Sequence, residues 1–138
     1  MANTYINVYT NNPTAGAADG TQLSTDGAQT SPLSVTLNAT SAESKICKCA
    51  VRCDSGYSAT GCTIKFTGTT AAKWTIAVDN SYADATAAAA ATYSSSISLA
   101  SVSATNTVFW IKAASSTDET PQKDISVEIE VTATVAAA

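Results

Sequence analysis

Asp124-Ile125-Ser126-Val127-Glu128-Ile129-Glu130-Val131-Thr132-Ala133-Thr134-Val135 is the longest unbroken alternation in the chain. Ile125, Val127, Ile129, Val131 and Val135 fall on one face, and Ser126, Glu128, Glu130, Thr132 and Thr134 on the other. A two-residue period is what an extended strand needs to bury one side and wet the other. The same period recurs upstream. Ile6 and Val8 oppose Tyr5, Asn7 and Tyr9; Leu33, Val35 and Leu37 oppose Ser34, Thr36 and Asn38. Over Lys45 to Cys53 the residues Cys47, Cys49, Val51 and Cys53 share a face turned away from Lys48 and Arg52. Cys62, Ile64 and Phe66 form another set, as do Trp74, Ile76 and Val78, with Ile97 and Leu99 marking a short strand. Thr107 to Ala113 is apolar on both sides, as a central strand covered on two faces would be.

The text between these runs is turn chemistry. Asn11-Asn12-Pro13 stops the first strand, because proline removes a ladder donor and asparagine favours turns. Thr14 to Ser31 carries only Leu23 as a large apolar residue and reads as a long surface loop or a short edge strand. Asp54 to Gly61 reads as a turn-rich connection, and Ser115 to Lys123, with Pro121, as the loop into the final strand. Ala83 to Thr92 is the one helix candidate; it lacks an amphipathic stripe and is short, so it is expected to be a loop with a single helical turn. About seven to eight short strands separated by turns predict an all-β, antiparallel β-sandwich, with a barrel as the alternative closure.

The chain's 138 residues fit one domain, residues 1–138, a size at which roughly 68–70% of the unfolded surface leaves water. The 11 acidic residues outnumber the 7 basic ones, and that excess opposes binding to nucleic acid or to an anionic membrane, both of which reward clustered lysine and arginine. Met1-Ala2-Asn3-Thr4-Tyr5 has neither a basic segment nor an apolar one of signal-peptide type, and no long apolar run follows. Synthesis in the cytoplasm without a signal peptide is expected, unless the chain leaves inside a larger particle.

No constellation of residues specifies a reaction. The chain has no histidine, the commonest general base and the usual partner of a serine or cysteine nucleophile. The close carboxylate pairs are Asp118 with Glu119, in a loop, and Glu128 with Glu130, on the wet face of a strand. Gly16, Gly20 and Gly27 precede no helix pattern and read as turn-formers rather than a phosphate loop. Catalytic residues, cofactors and metal ligands are therefore expected to be none. Of the four cysteines, three lie along one strand rather than in paired knuckles, which does not suit zinc. Cys53 and Cys62, which bracket the Asp54 to Gly61 loop, are the pair spaced for a disulfide; the preferred reading is that all four thiols are small apolar fillers. Trp74 and Trp110 sit in apolar strand patterns and are expected in the core. Tyr5, Tyr9, Tyr57, Tyr82 and Tyr93 are the candidate contact residues, Tyr5 and Tyr9 lying opposite Ile6 and Val8.

Thr4-Tyr5-Ile6-Asn7-Val8-Tyr9-Thr10-Asn11-Asn12-Pro13-Thr14-Ala15-Gly16, Asn106 to Ala113 and Asp118-Glu119-Thr120-Pro121-Gln122-Lys123-Asp124 together resemble small immunoglobulin-like structural proteins of tailed bacteriophages and prophages. The resemblance implies an immunoglobulin-like sandwich, a place in the virion as a capsid decoration or tail-associated protein, other virion proteins as partners and a homo-oligomeric state. It implies no enzymatic activity. The cysteine-rich third strand departs from many such proteins. The alternatives are a module whose loops and tyrosines bind glycans on a host surface, and a self-assembling filament or tail subunit joined through exposed strand edges.

Overall fold

The computed structural model describes residues 5–22, 44–68, 71–114 and 128–138. The chain is all-β: eight described strands lie in two antiparallel sheets packed as a sandwich. They are β1 (Ile6–Thr10), β2 (Thr21–Gln22), β3 (Ser44–Cys53), β4 (Tyr57–Thr67), β5 (Trp74–Val78), β6 (Ser96–Val102), β7 (Thr107–Ala114) and β8 (Glu128–Ala137). One sheet has the order β2-β1-β3-β7-β5 and the other β6-β4-β8. The strand expected at Leu33 to Asn38, the start of the last strand and the loop containing Asp118 and Glu119 lie outside the described residues.

Alternation decides what each strand hides. Ile6, Val8, Cys49, Val51, Cys53, Ile76, Phe109 and Ile111 of the five-stranded sheet meet Ala59, Cys62, Ile64, Phe66, Ile97, Val102, Ile129 and Val131 of the three-stranded one. Each large side chain moved into that layer contributes about 1.5–3 kcal/mol of apolar burial, which drives the two sheets together. Trp74 is half-buried against the same layer, its ring 5.9 Å from that of Phe66. β7 is covered on both faces as its composition predicts: Phe109 and Ile111 point into the sandwich, while Val108 and Trp110 are buried on the outside with Ala50 and Ala88. Trp110 is thus a core residue of the outer cover rather than of the inter-sheet layer.

That cover is the segment following β5. It contains α1 (Ala85–Ala88), the single helical turn expected within Ala83 to Thr92. Asp84 caps the turn, its carboxylate accepting from the Ala87 N–H at 2.9 Å, and Ala88 is buried against the sheet. Four alanine-rich residues are far too short to be helical alone, so the cap and the docking hold the turn.

One expectation about loops is corrected. Only Asp54, Ser55 and Gly56 form the connection after β3, because β4 already begins at Tyr57. Gly61 belongs to a bulge inside β4, where the register with β8 shifts between Thr60 and Thr63; its φ of +56° is one that glycine adopts without strain. Of the Thr14 to Ser31 segment, expected to be a loop or a short edge strand, the part up to Gln22 is described: a loop that leads into the two-residue strand β2, at the end of the sheet among the described residues, while residues 23–31 lie outside the described residues. β1 is not an edge: it lies between β2 and β3.

Candidate functional site

Backbone hydrogen bonds gather several separate segments at one end of the sandwich. The Asp54 N–H donates to the Tyr5 carbonyl at 2.9 Å, the Cys53 N–H to the Ser103 carbonyl at 2.8 Å, and the Ala138 N–H to the Gly56 carbonyl at 2.9 Å. Gly16 donates to the Asn106 carbonyl at 3.1 Å, and Asn106 donates back to the Ala17 carbonyl at 2.7 Å. The start of β1, the β3–β4 turn, the β6–β7 turn, the loop after β1 and the end of β8 therefore form one continuous surface.

An aromatic pair sits on it. The rings of Tyr5 and Tyr57 stack with centroids 4.5 Å apart, and Tyr5 remains 44% exposed, the larger of the two exposures that bear on contact because Tyr57 is half-buried. Beside it, the loop after β1 is clamped. The Asp19 carboxylate accepts from the Thr14 N–H and the Thr14 hydroxyl, both at 2.8 Å, and from the Asn106 side-chain amide at 2.8 Å. Asn106, 5% exposed, also donates to the Thr14 carbonyl at 2.9 Å and accepts from Arg52 at 2.8 Å. Arg52 donates in addition to the Asp19 carbonyl at 2.7 Å. The Thr14 backbone donor, followed by its hydroxyl, holds the Asp19 carboxyl below the usual carboxylate value.

This clamp also corrects the reading of Tyr9. Expected among the contact residues, it is only 9% exposed. The loop folds back across the outside of β1, the Arg52 guanidinium lies 3.6 Å above the Tyr9 ring, and Gly20 approaches so closely that a Cβ there would stand 3.1 Å from that of Tyr9 and 2.9 Å from the Thr10 carbonyl oxygen. A cation held over an aromatic face is attracted by the ring quadrupole, which makes Tyr9 part of the clamp.

Tyr82 and Tyr93 are gathered elsewhere, in the cover over Trp110. Tyr82 meets the Trp110 ring edge-on at 6.4 Å. Tyr93 donates to the Ala88 carbonyl at 3.1 Å and has the Lys112 ammonium 5.2 Å from its ring. Burial, and then the neighbouring Tyr82, raise the Tyr93 phenol above its ordinary value. The Trp110 indole N–H donates to Asp79 at 2.9 Å, and the same carboxylate oxygen accepts from the Tyr82 N–H at 3.2 Å. Of the five candidate tyrosines, the structure joins Tyr5 with Tyr57, and Tyr82 with Tyr93, and spends Tyr9 on holding a loop.

The four cysteines are free thiols. Cys49, Cys53 and Cys62 are buried and Cys47 is half-buried. Cys53 and Cys62 stand on strands of opposite sheets within the same apolar layer, and the Cys53 thiol donates to the Val102 carbonyl at 3.7 Å. Desolvation raises all four; for Cys62, with Cys53 alongside as the second cause, the value is pushed up to about 11. Such groups stay protonated and pack as apolar filler. Among the described residues no group of three or more cysteines and carboxylates is placed to hold a metal ion.

Arg52, Asp19, Asn106 and Thr14 did not stand out as site residues from spacing. One signal was available: Arg52 is the chain's single arginine, and it occupies a strand position whose neighbours are apolar or cysteine. Compared with family models, curated proteins and solved structures, the chain matches none.

Proposed function

We propose that this chain is a non-enzymatic structural protein of a bacteriophage particle, an immunoglobulin-like accessory domain attached to other virion proteins through the end surface around Tyr5 and Tyr57. The observation that carries this reading is the clamped loop beside the stacked pair of the exposed Tyr5 and the half-buried Tyr57. A contact surface whose loops are already ordered loses little conformational entropy on binding, and tyrosine is among the residues enriched at interface centres. The antiparallel sandwich is the architecture that the resemblance to phage immunoglobulin-like proteins implies. The acidic balance of the chain, 11 residues against 7, favours a protein partner over nucleic acid or membrane.

Mass spectrometry of purified, washed particles of the phage or prophage that encodes the chain tests the reading. The protein is expected in stoichiometric amounts, and Tyr5→Ala with Tyr57→Ala is expected to release it while Tyr82→Ala leaves it bound. Its absence from washed particles would overturn the proposal. The exposed Tyr5 ring, stacked on the half-buried Tyr57, also favours a second reading, recognition of a host-surface glycan by stacking; saturable binding on a glycan array that Tyr57→Ala abolishes would select it.

A further inference from the structure

The cover over Trp110 leaves β5 after Val78 and returns to the same strand: the Ile76 N–H donates to the Ser94 carbonyl at 2.8 Å, and the Ser94 N–H to the Ile76 carbonyl at 2.9 Å. Residues 79–93 are therefore an excursion with both roots fastened to β5, the arrangement of an Ω-loop. A loop anchored in this way can leave the sheet without any strand changing its partners.

Its hydrogen bonds close on the loop itself. The N–H groups of Ala88, Ala89, Ala90 and Ala91 donate to the carbonyls of Asp84, Ala85, Ala87 and Ala88. The Tyr93 hydroxyl returns to the Ala88 carbonyl, and the Asp79 and Asp84 carboxylates hold the N–H groups of Tyr82 and Ala87. Among the described residues, one hydrogen bond joins the loop to a strand of the sheet beneath it, from the Trp110 indole N–H to Asp79 at 2.9 Å. The rest of the seat is packing. Ala88 is fully buried in one cluster with Ala50, Val108 and Trp110, the Tyr82 ring meets Trp110 edge-on, and Tyr93 lies beside the Lys112 ammonium. The other side of the loop, from Ala83 to Ala87, is exposed. At the first root Ser81 is held at a φ of +58°, a left-handed conformation that a residue with a Cβ disfavours.

We propose that residues 79–93 are a strap that opens as one unit while both sheets stay intact, releasing Trp110, Val108 and Ala50 from beneath it. Parts of a fold tied by few hydrogen bonds and a limited apolar area open at free energies below that of global unfolding. The four-residue turn α1 cannot stay helical off the sheet. Its amides therefore become exchangeable in the same event that frees the Trp110 indole. The inference goes beyond the attachment surface proposed above and does not rest on it, since neither Tyr5 nor Tyr57 takes part.

Hydrogen exchange of the full native chain, followed by NMR, tests the strap. The amides of Ala88 to Ala91 and the Trp110 indole N–H are expected to exchange with one common opening free energy. It should be lower than that of the Phe109 and Ile111 amides, which lie in β7 between β3 and β5. Urea below the unfolding transition should accelerate the β7 amides steeply and the strap sites little, because opening the strap exposes much less surface than unfolding. Tyr82→Ala, which removes the ring from Trp110, is expected to speed exchange at all the strap sites by roughly two- to thirteenfold. Strap sites that exchange only together with β7, at the same free energy and the same urea slope, would overturn the proposal. So would an indole N–H as protected as β7 above alanine amides that exchange freely, since the turn would then fray without leaving Trp110. A folded Tyr82→Ala with unchanged exchange at the strap sites refutes it as well. If that variant fails to fold, the urea series on the native chain decides alone.

Discussion

Arg52, Asp19 and Asn106 show how three polar residues can fix a loop that carries almost no apolar weight. Asn106 uses both donor and acceptor capacity, giving to Thr14 and Asp19 and accepting from Arg52. Because it is buried, its loss leaves the Thr14 carbonyl and one Arg52 donor short of partners. Asn106→Ala is expected to cost about 1–3 kcal/mol, measured by urea unfolding. Asp19 adds a pH dependence of definite sign. Its folded value lies below the ordinary 3.8 through the Thr14 hydrogen bonds, so the folded state binds the proton less readily than the unfolded one. Its contribution is present in full above the ordinary value and is lost as pH falls through the lowered one. The urea midpoint of the native chain should therefore fall more steeply in acid than that of Asp19→Asn.

At the scale of elements, β4 carries the main departure from regular geometry. The bulge at Gly61 lets Ala59 and Cys62, three positions apart, both face the core, and the same offset is why Asp54 to Gly61 reads as turn rather than strand. A Cβ at Gly61 would meet nothing within 4 Å, so the obstacle to substitution is backbone strain alone. Gly61→Ala is expected to destabilise by about 1–2 kcal/mol, seen as a lowered Tm with unchanged dichroism. The alanine-rich turn after β5 is the opposite case: its sequence promises one helical turn and no more. The structure supplies the reason it persists, the Asp84 cap and the seat of Ala88 against the outer face of the sheet.

For the molecule as a whole, the thiols report how the sheets close. Cys49, Cys53 and Cys62 lie in the layer between them, and Cys47 is at its margin. With a thiol reagent at mildly alkaline pH, mass spectrometry should find Cys47 labelled first and the other three protected until denaturant unfolds the chain. For Cys62, whose thiol is pushed up from the ordinary 9.0 to about 11 in the folded chain, its contribution to stability is complete below the unfolded value and declines as pH rises toward the folded one. Alkaline unfolding should therefore accompany exposure of the thiols.

Most of the described strands were legible in the sequence because alternation is local: each residue's face follows from its neighbours two positions away, and apolar side chains in register can only be hidden together. That rule alone determined the all-β class, the doubly covered β7 and the inward thiols. Tertiary structure decided which strands share a sheet, the burial of Tyr9, the clamp that joins Thr14 to Asn106 across 92 positions, and the division of the tyrosines between an exposed end and an internal cover. These depend on which distant segments meet, and partner choice is set by the packing of whole faces and by polar groups finding partners across the fold. No single stretch of sequence contains that information.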